Sequence, residues 1–156
     1  MPTIEDRVQQ ELIKRFAFLA DKFQVIRPRR MQVEVPLEKF SEVFEFCFAN
    51  LGFGHLCAIT GLDEQEKLGF IYHLAQESGP MLNVKTTAPK DNPVIQSIIK
   101  VFPSAEVYER ELIDLFGAKV EGLPPGNRYP LTDDWPQGEY PLRKDWHPKS
   151  EEKKGA

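Results

Sequence analysis

With 156 residues, 41% of them hydrophobic and 28% charged, the chain has material for one domain with its own core and too little for two. A formal net charge of −4 argues against a nucleic-acid binder, whose surface would be basic. No run approaches the ~18 apolar residues of a membrane span, and the opening MPTIEDRVQQ lacks the basic and apolar regions of a secretory signal.

In chain order, residues 3–23 read as an amphipathic helix. Thr3 is its N-cap, and Ile4, Val8, Leu12, Phe16, Leu19 and Phe23 form one stripe. Val25 to Arg30 reads as a basic link broken by Pro28. Met31, Val33 and Val35 alternate with Gln32 and Glu34, the pattern of a half-buried strand. Pro36 suits the first turn of a second helix that buries Leu37, Phe40, Phe44, Phe48 and Leu51 and stops at Gly52-Phe53-Gly54. His55 to Gly61 is a short apolar strand, followed by the polar loop LDEQEK. Leu68 to Ala75 and Met81 to Thr87 form a hairpin across QESGP. Asn92-Pro93 supplies the N-cap and first position of a further helix, carrying Val94, Ile95, Ile98, Ile99 and Phe102 and ended by Pro103. Consecutive strands in the middle make this an α+β domain over residues 1–117, a mostly antiparallel four-stranded sheet covered by helices. Residues 118–156 follow as an extended, proline-rich arm.

The last helix runs between Ser104 as N-cap and Gly117 as stop. Tyr108, Leu112, Leu115 and Phe116 form its apolar stripe, and Arg110 stands four residues from both Glu106 and Asp114. Glu109 and Glu111 add negative charge. Glu111 lies beside the apolar stripe, so it reads as a partly buried carboxylate in need of a partner. With no histidine or cysteine close by in sequence, a structural anchor is favoured over an acid–base group.

Six of the 13 prolines fall between Pro124 and Pro148, so the tail cannot be regular helix or sheet. It is not composed like a disordered linker, because Tyr129, Leu131, Trp135, Tyr140, Leu142 and Trp146 recur among its charges. Rings, arginine and preset proline angles suit an interface, which favours a partner-wrapping arm over a tail folded on its own domain.

Nucleotide and nucleophile motifs are absent: there is no GxxxxGK[ST] and no GxSxG, and Cys57 stands where a third glycine would complete GxGxxG after Gly52 and Gly54. Cys47 and Cys57 form neither a CxxC pair nor a disulfide framework, which points to a reducing, cytoplasmic compartment and to both as buried small hydrophobes. His55 and Cys57 are two ligands where zinc takes four. His73 and His147 have no visible partner. No cofactor site, metal site or catalytic set emerges.

At Glu109-Arg110-Glu111, followed by Asp114-Leu115-Phe116-Gly117, the chain resembles the family of the C subunit of respiratory complex I (NADH:quinone oxidoreductase). The closing Pro141-Leu142-Arg143-Lys144-Asp145 matches that family's second hallmark, in the right order. Where the complex I pattern has glycine-histidine-proline this chain has Gly122-Leu123-Pro124, and a single Arg128 stands in place of a basic pair. The run Leu131-Thr132-Asp133-Asp134-Trp135-Pro136, then Glu139-Tyr140, is more similar to the homologous subunit of formate hydrogenlyase and other energy-converting [NiFe]-hydrogenases.

The resemblance implies a non-catalytic, cofactor-free subunit of the hydrophilic arm of a membrane-associated redox complex, peripheral on the cytoplasmic face. Its implied partners are the large catalytic subunit and the small iron–sulfur subunit, with the membrane arm reached indirectly. Iron–sulfur clusters, and [NiFe] on the hydrogenase branch, would lie in those partners. The residues it marks as interface or ion-pair positions are Glu109, Arg110, Glu111, Asp114, Arg128, Trp135, Tyr140, Pro141, Leu142, Arg143, Lys144, Asp145 and Trp146. The alternatives are the C subunit of a quinone-reducing, ion-pumping complex I and, in another class, a small acid–base enzyme using Glu111 with Glu109 or Asp114.

Overall fold

The computed structural model describes residues 1–149. Helix α1 (Ile4–Arg15) starts where expected: the Asp6 amide donates to the Thr3 hydroxyl at 3.1 Å, and the Thr3 amide donates to the Asp6 carboxylate at 2.9 Å. It ends at Arg15, well short of Phe23. Phe16 leaves helical backbone with φ −133°, and a 3-10 turn over Ala17–Leu19 buries Leu19. The stripe from Phe16 to Phe23 therefore comes from several short pieces that happen to share a helical spacing.

Phe23 opens a strand that the basic stretch concealed, β1 (Phe23–Arg27). It forms a hairpin with β2 (Arg30–Glu34) across Pro28 and Arg29. Arg29 takes a left-handed backbone, φ 63°, to close the turn. With β3 (His55–Asp63), β4 (Lys67–Ala75) and β5 (Met81–Pro89) this gives five strands rather than four, in the order β1-β2-β5-β4-β3. Every neighbouring pair is antiparallel except β2 with β5. That parallel pair needs a crossover, which includes α2 (Phe40–Ala49) after a 3-10 turn at Leu37–Lys39.

Period-2 alternation puts Leu68, Phe70, Tyr72 and Leu74 of β4 on the buried face, beside Leu82, Val84, Thr86 and Ala88 of β5. Phe40 and Phe44 of α2 close on Tyr72 with ring centroids 4.6 and 5.5 Å apart.

The helix expected after Pro93 does not form. Val94–Gln96 is instead a short strand, β6, paired in parallel with β7 (Lys119–Glu121), and α3 (Ala105–Phe116) connects them. The apolar set Val94, Ile95, Ile98, Ile99 fits helical spacing, but β-branched residues carry strand preference, and the chain after α3 supplies the pairing strand. On the other side α3 rests on β3. Phe116 and Leu112 fill the space that a Cβ at Gly61 would need.

Candidate functional site

Helix α3 carries most of the polar chemistry singled out by the sequence. Ser104 occupies the N-cap position, though its side chain makes no capping bond. Gly117 ends the helix in the left-handed conformation, φ 73°, with its amide donating to Ile113 and the Ala118 amide donating to Leu112. The Tyr140 ring lies against Gly117 where any Cβ would collide, so glycine is required both by the backbone and by the tail packed on it.

The fully buried carboxylate of this helix is Glu109; Asp114 is buried as well, at 7% exposure, and Glu111 is not. Glu109 is 0% exposed and accepts from the Ser97 hydroxyl and the Ile98 amide, each at 2.7 Å. Burial raises its pKa above the ordinary carboxylate value, while the Ser97 and Ile98 donors and the nearby Arg110 pull the other way. The helical turn places Glu109 against the segment following β6, whereas Glu111 is only half-buried and makes no side-chain hydrogen bond among the described residues. Glu109 thus ties α3 to the chain just after β6, and both of its oxygens are spoken for.

Arg110 and Asp114 do not share one ion-pair ladder. Arg110 pairs with Glu106 at 2.8 Å and donates to the Pro124 carbonyl at 2.9 Å, with its guanidinium seated on Gly126. Asp114 instead faces Arg128 at 3.7 Å and accepts from the Leu131 amide at 3.2 Å. Arg128 donates onward to the Trp135 carbonyl at 2.7 Å. Two charges on one helix face therefore hold the proline-rich chain at Pro124 and at Leu131, leaving between them a cavity of about 100 Å³ lined by Arg110, Asp114, Asn127, Arg128 and Tyr129.

Farther along, the Leu142 amide donates to the Leu115 carbonyl at 3.1 Å. Arg143 donates to the Phe116 carbonyl at 2.6 Å, and its guanidinium lies 4.8 Å from the Tyr140 ring centroid. The Lys144 amide donates to Asp63 at 2.7 Å, at the end of β3. Asp63 also accepts from Lys90 and from the Gln65 amide, each at 2.8 Å, and Lys90 reaches Asp145 at 3.1 Å. Burial alone would raise the Asp63 pKa, but Lys90 and the two amides outweigh it and hold it at about 2.

Trp135 and Trp146 pack together with centroids 5.8 Å apart, and the Trp135 ring N–H donates to the Glu139 carbonyl at 2.8 Å. Beyond β7 the tail thus lies along α3 from Pro124 onward and meets the β3–β4 turn at Lys144. The sequence favours a partner-wrapping arm, and the structure lays its described part against the domain. Positions 150–156 of the expected arm lie outside the described residues.

Asp63, Lys90 and Ser97 are the contributors that sequence reasoning missed. Asp63 ends β3 in a stretch that reads as a polar loop, Lys90 lies in the turn after β5, both far from the tail in sequence, and Ser97 sits in a stretch read as helix. A weak signal exists for Asp63 only, whose side chain caps the turn at Gln65, φ 74°. Cys47 is buried, which pushes its thiol up to about 12; Cys57 is exposed rather than buried. Among the described residues no three His, Cys, Asp or Glu side chains gather as metal ligands, and no helix is long and apolar enough to cross a membrane.

Fold and site together define an α+β domain closed by its own carboxy-terminal strap. The chain belongs to the family described as "Respiratory-chain NADH dehydrogenase, 30 Kd subunit", matched over residues 33–152. It is 37% identical to the C subunit of the F(420)H(2) dehydrogenase of Methanosarcina mazei, over 76% of this chain and 77% of that protein. It is 33% identical to membrane-bound hydrogenase subunit beta of Pyrococcus furiosus, over 74% and 69%. Against formate hydrogenlyase subunit 5 of Escherichia coli the identity is 35%, but the match spans 21% of that longer protein. A chain in the structure of the membrane-bound sulfane sulfur reductase, an archaeal respiratory membrane complex, superposes with a TM-score of 0.80 at 28% identity, covering 90% of this chain and 84% of that one.

Proposed function

We propose that this chain is a non-catalytic, cofactor-free structural subunit on the cytoplasmic, peripheral part of a complex I-like membrane redox complex, most plainly one of the energy-converting [NiFe]-hydrogenase or formate hydrogenlyase type. It packs on the large catalytic subunit and the small iron–sulfur subunit; nickel and iron–sulfur chemistry belong to those partners. The observation that carries this reading is the braced tail. Arg110, Asp114, Arg128, Arg143 and Asp63 each fix a different point of it, yet Tyr129 and Leu142 remain 46% and 52% exposed. A preorganised irregular surface with apolar side chains outward loses little entropy on binding. Glu109, the one deeply buried carboxylate of the helix, is engaged by Ser97 and Ile98, which disfavours the acid–base alternative.

A quinone-linked membership is the second reading. It is favoured by the 35% identity to the C subunit of the NADH-quinone oxidoreductase of Moorella thermoacetica over 64% of this chain. Affinity isolation of the full chain from its native membranes tests both. A nickel-containing large subunit supports the first reading and a nickel-free one the second. Alanine at Arg143 together with Asp145 is expected to lower recovery of the partner subunits severalfold. Full recovery counts against the tail as the docking element.

A further inference from the structure

At the edge of the sheet opposite β3, strand β1 is bonded to β2 on one side and, among the described residues, to no strand on the other. The Glu34 amide donates to the Lys22 carbonyl. Because bonded positions alternate along an antiparallel pair, the amides and carbonyls of Phe23 and Val25 point toward the open edge. Val25 lies opposite the core residue Met31 and is still 50% exposed, and Ile26 is 54% exposed, because no strand among the described residues lies beyond them. Open edges are normally blunted by lysine, proline or a covering element. Here lysine and proline stand at the two ends, Lys22 and Pro28, and Arg27 and the register shift after Val25 fall at the last residues, which leaves Phe23 to Ile26 without a charge.

The end of the same edge is basic. Arg27 and Arg30 stand directly opposite each other in register, a like-charge arrangement that is unfavourable across strands. No ion pair among the described residues includes Arg27, Arg29 or Arg30. The Arg29 amide donates to the Glu5 carboxylate and its guanidinium to the Ser78 carbonyl, which turns it toward the β4–β5 turn. The three arginines, with Ser78 and Gly79, rim an open concavity of about 590 Å³. All this sits on a chain whose net charge is −4.

We propose that this corner is a second docking surface. It takes an extended, carboxylate-rich segment of a neighbouring subunit as an added strand along β1, with its acidic side chains at Arg27 and Arg30. Backbone pairing would satisfy the Phe23 and Val25 edge, side chains of the added strand would cover Val25 and Ile26, and the carboxylates would relieve the arginine pair. An anionic lipid surface would meet the arginines but offers no backbone to extend the sheet along the edge of β1. The inference rests on the chain being a subunit of a larger complex, and uses none of the tail contacts.

The test is photo-crosslinking from a benzophenone side chain at Ile26 in the full chain within its assembled complex, with the crosslinked fragment read by mass spectrometry. The expected result is one segment of a partner subunit rich in Asp and Glu. The crosslink should fall about tenfold in the double variant Arg27→Glu, Arg30→Glu, whose helix and strand content is checked by circular dichroism. A synthetic peptide of that segment should slow exchange of the Val25 amide. Crosslinking only to lipid, capture of a neutral or basic segment, or an unchanged yield in the double variant overturns the proposal. So does the absence of any crosslink in a preparation that retains its partner subunits, which leaves membership of the complex standing. A chain that isolates with no partner at all removes both.

Discussion

Glu109 and Asp63 are both carboxylates with little or no exposed surface, and their environments move them in opposite directions. Glu109 sits inside the domain, where two neutral donors do not match the cost of burial, and its pKa is raised. Asp63 sits at the rim, where an ammonium group and two amides overcome that cost and hold it at about 2. The first fastens α3 to its own domain and the second fastens the tail to the domain. The strength of a buried carboxylate as a fastener depends on the charge of its partners, and the two fasteners should part at different pH.

The largest expected effect comes from removing the inner fastener. Glu109→Ala leaves the Ser97 hydroxyl and the Ile98 amide without an acceptor in the interior, and should destabilise the domain by about 3 kcal/mol in urea unfolding. Glu109→Gln keeps an acceptor oxygen for one of the two donors and should lose clearly less. If the two substitutions cost the same, Glu109 is not acting through those two bonds.

The outer fastener can be broken by acid. A carboxylate whose folded pKa is depressed contributes stability above its unfolded value and loses it as pH falls through the folded value. For Asp63 that window runs from 3.8 down to about 2, and Asp145, also lowered by Lys90, shifts in the same direction. Glu109 has the reverse sign: its raised pKa means that protonation favours the folded state as pH falls. The tail should therefore loosen before the domain unfolds. Both tryptophans of the chain, Trp135 and Trp146, lie in the tail, so their fluorescence reports the tail alone. On acidification below pH 4 the fluorescence should change before the far-ultraviolet circular dichroism does. Asp63→Asn should give the loosened spectrum already at neutral pH, at a cost of about 2 kcal/mol to the clasp. Coincident transitions would mean that tail and domain form one cooperative unit.

How much of this was legible in the sequence follows from where each partner lies along the chain. The amphipathic α3, its Gly117 stop, the β4–β5 hairpin and the α+β class follow from local spacing, and spacing is what a sequence displays. Strand β1 was hidden because Pro28 and three arginines look like a linker, and only pairing with Met31 and Val33 makes a strand of it. The helix expected from Asn92 failed because β7, its true partner, arrives only after α3. Glu111 was preferred to Glu109 because both flank the same apolar stripe. What separates them is a serine hydroxyl and a backbone amide of a segment packed against one side of the helix only. The family resemblance marked Arg143 and Asp145, but the groups that receive the closing motif, Asp63 and Lys90, carry no local sign of that role.

The smallest effect should separate bracing of the tail from stability of the domain most sharply. Glu106 is exposed, so its pairing with Arg110 contributes only ~0.5 kcal/mol, and Arg110→Ala should leave urea unfolding of the domain nearly unchanged. The other bond of Arg110 is donated to the Pro124 carbonyl, and Asp114, one turn further along α3, is a carboxylate that only accepts and so cannot replace it. Limited proteolysis should therefore cut the variant several times faster between Gly122 and Arg128, while cleavage near Trp146 stays at the wild-type rate, because the Asp63 clasp is untouched. Faster cutting along the whole tail would show that its attachment points act together. Unchanged cutting would place the hold on the tail at the contacts of Asp114, Leu115, Phe116 and Asp63.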